Sequence, residues 1–403
     1  MLLHSELNRL AEQLQVNDFK IPEVVLEPKA IYRLKDFLKV KNIRKVVIVY
    51  DHNTFAAVGK ILLEDLQAES LEAKGILVKE ENGQVIADEK SLVQVFVETP
   101  NDTDMLIAVG SGTIHDIVRF VGYKMSIPFL SVPTAASVDG FTSKGAPLIL
   151  HGVKQTIQTS APIAVFADIE VLQAAPQKLT AAGFGDILGK YTSLLDWEIS
   201  KLVGNESYNE TAALYTRKAL ETCVAKVEQI SVADEAGIKI LMGALIESGL
   251  VMQVLDHSRP ASGAEHHLSH YWEMHLLKTN KKQLLHGAKV AVATTLIIEL
   301  YKKYWQEVLQ SPKIKDSRYR EGIEKHGAYI SHLIEQLPSP AFIEELIEKV
   351  SGPTTIEELG LPVELVSKSL NEAYHLRDRC TGLLLINAIK EADFQYVSLL
   401  KQN

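Results

Sequence analysis

Cysteine is scarce. Cys223 and Cys380 are the only two in 403 residues, and neither has a CxxC partner. That excludes a disulfide framework, argues against a thiolate zinc site, and leads us to expect a reducing cytoplasm. An excess of positive charge is also lacking. The 51 Asp and Glu outnumber the 42 Lys and Arg, giving a net charge of −9. Bulk charge therefore favours neither nucleic acid nor a membrane surface, although a small anion in a local basic pocket stays compatible. The longest apolar stretch reads as residues 290–298, far short of the roughly 20 residues a membrane span needs. The start, MLLHSELNRLAEQLQ, sets Glu6 and Glu12 among its apolar residues, unlike the basic start and apolar block of a signal peptide. Repeats and low-complexity tracts are missing. With 46% hydrophobic and 23% charged residues, the composition is that of a globular protein without membrane insertion.

At 403 residues the chain exceeds one ordinary core, so two domains are expected. Strand-like runs KVVIVYD (45–51), GILVKE (75–80), DMLIAVGSG (104–112), PFLSVPT (128–134) and PIAVFAD (162–168) alternate with helix-like segments such as 55–70. Short buried strands separated by helices indicate a parallel α/β sheet. Beyond Pro176 such runs nearly vanish, and 189–202, 210–230 and 288–309 have helical spacing. The expected division is residues 1–175, an α/β domain, and 176–403, an all-α domain, with AAPQ as the break.

AVGSGTIHDIVRF (108–120) follows a strand and opens a helix. Gly110 and Gly112 allow close backbone approach, and the helix start beyond offers free N–H groups to a pyrophosphate. A GxG without a third glycine is also a common turn, so the motif by itself is weak. Asp51 ends a strand well before the glycines, the reverse of the usual dinucleotide order. It suits either a ribose hydroxyl or the start of the turn DHNT. PTAASVDGFTSKGAP (133–147) is rich in small and hydroxyl residues, with Asp139 its only acid.

Four histidines crowd into SRPASGAEHHLSHYWEMH (258–275): His266, His267, His270 and His275. His266 and His270 share a helix face, but Glu265 precedes the pair, unlike the zinc motif in which Glu follows the first His. GFGDILGK (183–190) places Asp186 near an expected helix start, with open space around it from its glycines. His286 stands at the start of a long apolar helix. One Asp and two His from separate segments would make a three-ligand site with an open position, although spacing alone does not compel it.

GSGTIHD, PTAASVDGFTS, GFGDILGK, SGAEHHLSH and LHGAKV, in that order, resemble the glycerol-1-phosphate dehydrogenases. These belong to a wider class of metal-dependent polyol dehydrogenases that includes glycerol dehydrogenase and dehydroquinate synthase. The likeness spans roughly residues 20–390, and SRPASGAEH and RDRCT match its bacterial branch. It implies a Rossmann-like N-terminal domain, a helical C-terminal domain and an active site in the cleft between them. It implies reduction of dihydroxyacetone phosphate to sn-glycerol 1-phosphate with NAD(H) or NADP(H) and one divalent metal, zinc or nickel, in a homodimer. The resemblance makes Asp186, His266 and His286 the metal ligands. It makes Gly112, Thr113, Ile114, His115 and Asp116 the pyrophosphate turn, led by Gly110 and Ser111. Thr134, Ala135, Ala136, Ser137 and Ser143 contact the cofactor, and Asp51 sits by the adenosine ribose. Asp139, Asp186 and His270 border the substrate, with Asp139 or His270 relaying the proton. His267 and His275 are left structural or solvated. Lys190, His270 and Arg259 are candidates for the substrate phosphate; Arg377 and Arg379 are weaker ones, beside Asp378. The competing readings are another polyol dehydrogenase of this class, which needs no phosphate pocket, and a non-catalytic nucleotide- and metal-binding protein.

Overall fold

The computed structural model describes residues 4–16, 20–69 and 71–400. The chain divides into two compact units: Met1–Gly183 with Lys226–His257, and Phe184–Ala225 with Ser258–Asn403.

The first unit holds six parallel strands: β1 (Glu23–Glu27), β2 (Lys45–Tyr50), β3 (Glu72–Leu77), β4 (Met105–Gly110), β5 (Phe129–Pro133) and, after a hairpin, β8 (Ala164–Asp168). The hairpin is β6 (Gly145–Leu150) and β7 (Val153–Gln158), paired antiparallel. The sheet order is β1-β8-β5-β4-β2-β3. β4, β5 and β8 are buried throughout, as parallel strands covered on both faces must be. β2 divides its side chains between the two cores: Val46, Ile48 and Tyr50 pack on one face, Val47 and Val49 on the other. That alternation is the period of two of an extended chain. The edge strand β3, EAKGIL, buries only Ile76. It starts three residues earlier than its β-branched run suggested, because pairing with β2 runs from Lys45 opposite Glu72 to Tyr50 opposite Leu77.

The order reverses between β2 and β4. There Val49 lies opposite Ala108, so Asp51 and Gly110, each two residues on, leave the sheet side by side. Such a reversal opens a crevice at the carboxyl ends of the strands, where ligands bind in open α/β sheets.

A single cut at 175/176 does not describe the two units, because residues 226–257 rejoin the sheet. The helix Glu235–Leu255 packs on β1 and on the helix Ile169–Gln173, and its Ile246 carbonyl accepts from Thr142 at 3.0 Å. With 21 residues and an 18-residue window of mean hydropathy 1.7 it has the length and composition of a membrane span. Lys239 and Glu247 interrupt it, so the uninterrupted 290–298 run did not reveal it. Its best 18-residue window is 72% buried, as in a core helix.

The second unit is helical among its described residues. The 25-residue helix His286–Gln310 is its axis, packed by Ala264–Lys278, Gly382–Ile389, Arg320–Glu335 and Pro340–Lys349. Trp272, Tyr301 and Trp305 fill the core between them. The expected helix over 210–230 is broken at Lys226 into Glu210–Ala225 and Val227–Ser231.

Candidate metal centre and cofactor turn

Asp186 lies in the last turn of the helix Gln177–Leu188, not at a helix start as its glycines suggested. Those glycines do not leave open space. A Cβ on Gly185 would fall 2.4 Å from the Gly287 carbonyl oxygen, and one on Gly183 would fall 2.0 Å from that of Ala136. Both permit backbone-to-backbone approach inside a helix, which outweighs their poor helix propensity. The contact at Gly185 brings Asp186 beside the start of the His286–Gln310 helix.

His286 is the first residue of that helix and His266 the third of Ala264–Lys278. Asp186 Oδ1 lies 3.5 Å from His266 Nε2 and 3.7 Å from His286 Nε2. The three ligand atoms lie within 4.8 Å of one another. Ligands about 2.0–2.2 Å from a tetrahedral ion sit roughly 3.4 Å apart, so one carboxylate and two imidazoles fit a divalent metal here. Burial alone would raise the Asp186 carboxyl. The Lys190 charge and the contacts with His266 and His286 outweigh it and hold the carboxyl well below the usual range. Burial pulls His266 down, but Asp186 and Glu265 outweigh that and raise it. A cation at this point would displace that proton.

His266 is held from behind. Its Nδ1 donates to Glu265 Oε1 at 2.7 Å. Glu265, fully buried, also accepts from the Thr192 hydroxyl at 2.5 Å and the Gly263 N–H at 2.6 Å. This bond assigns the proton to Nδ1 and turns the Nε2 lone pair towards Asp186 and His286. Asp196 forms the next layer. It accepts from Ala264 N–H, Gly382 N–H and the Tyr301 hydroxyl at 2.8, 2.8 and 2.7 Å. Burial and the neighbouring Glu265 nevertheless push its carboxyl up to about 7. The sequence reading passed over Glu265 as a functional residue, although its place before His266 was visible. It did not reach Asp196, Thr192 or Tyr301.

The His270 ring centre is 5.8 Å from that of His286 and 6.1 Å from that of His266, with Glu273 3.5 Å from its Nδ1. His267, on another face, is fully buried with neither ring nitrogen hydrogen-bonded. His275 is half-buried. Lys190 is buried, and its Nζ donates to the Asp186 carbonyl at 3.1 Å.

In the first unit, Ser111 is the N-cap of the helix Gly112–Met125 and makes no side-chain capping bond. Gly110 is needed for packing too, since a Cβ there would meet Ile114 at 2.8 Å. The side chains of Ile114 and His115 point into the core. His115 bonds the Ser111 carbonyl at 2.9 Å and the Ser131 hydroxyl at 2.7 Å, and burial drives its pKa down to about 3. Any contact these two make with a pyrophosphate is through the backbone. Thr113 and Asp116 are half-buried. Asp51 accepts from Thr54 N–H at 2.8 Å as a helix cap. Thr134, Ala135, Ala136, Ser137 and Ser143 are buried, with Ser143 donating to the Gly140 carbonyl at 3.2 Å. Asp139 accepts from Ser248 at 2.8 Å. Arg119, absent from the sequence reading, is fully buried. Its guanidinium clamps this loop through the carbonyls of Gly140, Phe141 and Gly145.

Residues 25–176 match the family described as iron-containing alcohol dehydrogenase. A glycerol-1-phosphate dehydrogenase (NAD(P)+) of Geobacillus thermodenitrificans is 48% identical over 376 residues, covering 92% of this chain and 93% of that one. The chain belongs to the glycerol-1-phosphate dehydrogenase family. A Bacillus subtilis relative of the same name is 45% identical over 372 residues, covering 92% of each chain. Among solved structures, a probable glycerol dehydrogenase from Sinorhizobium meliloti superposes with a TM-score of 0.66 at 18% identity, covering 94% of this chain and 97% of that one. An NADH-dependent butanol dehydrogenase A from Thermotoga maritima gives 0.65 at 15%, covering 92% and 97%. At those identities the likeness carries the fold, an α/β part and a helical part, and nothing about substrate.

Proposed function

We propose that the chain reduces dihydroxyacetone phosphate to sn-glycerol 1-phosphate with NADH or NADPH, reversibly, using a divalent metal held by Asp186, His266 and His286. The observation that carries this is the convergence of those three ligands in a chain whose near full-length relatives bear the glycerol-1-phosphate dehydrogenase name. A bound zinc or nickel ion would supply Lewis-acid polarisation of the substrate ketone. Glu265 keeps His266 in the tautomer that presents Nε2. Lys190 offsets the Asp186 charge. His270, beside His286, and Asp139, held by Ser248, are the proposed groups that pass a proton to the substrate oxygen, directly or through water.

The Gly110–Asp116 turn is proposed to take the cofactor pyrophosphate, with the 134–137 loop and Ser143 along the nicotinamide half. Asp51 keeps one carboxylate oxygen on its helix cap; a ribose hydroxyl suits the other better than a 2′-phosphate does, which favours NADH. Two free, buried cysteines fit a cytoplasmic setting, and we carry the homodimer forward for measurement by light scattering.

The test is NADH oxidation with dihydroxyacetone phosphate, using chelator-stripped protein resupplied with zinc or nickel. Product chirality is checked with an enzyme specific for the 3-phosphate enantiomer. Metal-dependent turnover to product that this enzyme rejects is the expected result. Activity on glycerol, with none on this ketone, would discard the substrate and keep the metal centre.

A further inference from the structure

We infer that Arg377 and Arg379 form a clamp for the substrate's phosphate, an inference that rests on the function proposed above. Arg259, the third arginine of this cluster, is engaged: its Nε donates to Glu206 at 3.1 Å and its guanidinium reaches Ser207 at 3.2 Å. Arg379 is only 8% exposed and donates to the Ser262 carbonyl. Arg377 is half-buried and donates to the Ser258 hydroxyl at 3.3 Å. Among the described residues, neither Arg377 nor Arg379 has a carboxylate within ion-pairing distance, Asp378 included.

The nearest acids are committed elsewhere. Glu206 takes Arg259 and the Cys380 N–H. Asp196 takes Ala264, Gly382 and Tyr301, and Glu265 takes His266, Thr192 and Gly263. Two neighbouring guanidiniums largely out of water, offset only at longer range by Glu265 for Arg377 and by Asp196 and Glu206 for Arg379, are costly unless an anion joins them directly. Polar capacity around them is also unspent. The buried Ser262 hydroxyl and both ring nitrogens of buried His267 lack hydrogen-bond partners, a pattern that points to a missing ligand. Paired guanidinium forks suit the oxygens of a phosphomonoester dianion.

Position supports the assignment. Ser258 and Ser262 belong to the loop that leads into the Ala264–Lys278 helix, four residues before His266. Asp196 ties Ala264 and Gly382 together, so the RDRCT segment and the metal-ligand helix are held in register.

The experiment measures steady-state kinetics of full-length, metal-loaded R377A and R379K, with inorganic phosphate as competing inhibitor. The KM for dihydroxyacetone phosphate and the Ki for phosphate are expected to rise together, about tenfold or more. The KM for NADH should not follow. Arg377 is half-buried and R379K keeps the charge, so at least one variant should fold. Wild-type protein inert on dihydroxyacetone phosphate would sink the functional reading itself. Turnover of that substrate, with both constants staying within about threefold in both variants, or with the NADH KM rising in parallel, would overturn the clamp alone.

Discussion

Replacing Glu265 by Ala withdraws one acceptor and strands three buried donors: His266 Nδ1–H, Gly263 N–H and the Thr192 hydroxyl. A buried donor without a partner costs roughly 1–3 kcal/mol. Relaxation and an admitted water would recover part, so a stability loss of about 2–4 kcal/mol is expected. The functional cost is separate. Without the carboxylate the imidazole is free to rotate or to carry its proton on Nε2. Loss of such a partner typically weakens metal binding ~10–100-fold, or about 1.4–2.8 kcal/mol. Glu265→Gln keeps an oxygen for Nδ1–H and Gly263 N–H but loses the charge and puts an NH2 donor where Thr192 donates; the Thr192 hydroxyl can turn to accept, so the loss in metal affinity should stay below about tenfold. The assay is zinc competition against a chromophoric chelator near neutral pH, with thermal denaturation of the metal-free variants as the stability control. If E265A destabilises the fold but binds zinc within about twofold of wild type, the carboxylate is structural only and the orienting role is refuted.

Three further perturbations test other parts of the structure. Gly185→Ala sets a Cβ against the Gly287 backbone, 2.4 Å from its carbonyl oxygen; it should cost about 1–3 kcal/mol in denaturant unfolding and weaken metal binding by moving His286 from Asp186, while an unchanged midpoint would deny the close approach. His115, with a folded pKa of about 3, lies below its unfolded value of about 6.5. Between these values only the unfolded chain takes the proton, so the stability His115 contributes above that range falls as pH drops through it, approaching 1.4 kcal/mol per pH unit. H115N should flatten this acid limb, and equal slopes in the two proteins would refute it. Arg119→Lys cannot bridge the three loop carbonyls; the KM for NADH should rise several-fold, and an unchanged value would separate this loop from the cofactor.

The central sheet was legible because β2, β4, β5 and β8 are apolar on both faces, and a continuous apolar run is itself the signal. The edges were not. β1 has two glutamates in five residues, and β7, VKQTIQ, is mostly polar, so neither stands out from a loop. Gly183 and Gly185 misled in the opposite direction. A glycine-rich segment reads as a break, and only the Ala136 and Gly287 backbones opposite show why a helix tolerates it. The metal trio came from the order of five motifs, not from spacing, since residues 186, 266 and 286 come from separate helices.

Polar networks are where local pattern fails for a physical reason. A buried apolar side chain needs only a face, and periodicity reveals faces. A buried charge needs a particular partner, and that partner comes from anywhere in the chain. Arg119 on its helix looks like a solvated cation paired with Asp116, yet the three carbonyls it also holds lie 21 to 26 residues on. Asp196 looks like a helix-surface acid, yet it gathers groups 68, 105 and 186 residues away. Glu265 was visible beside His266, but adjacency on a helix does not make contact, and only the observed bond to Nδ1 gives it work. The same reasoning separates the arginines. Sequence ranked Arg259 above Arg377 and Arg379 because Asp378 seemed their natural partner. The inferred clamp reverses that order: Arg259 already holds Glu206, whereas neither of the other two has a carboxylate within ion-pairing distance among the described residues.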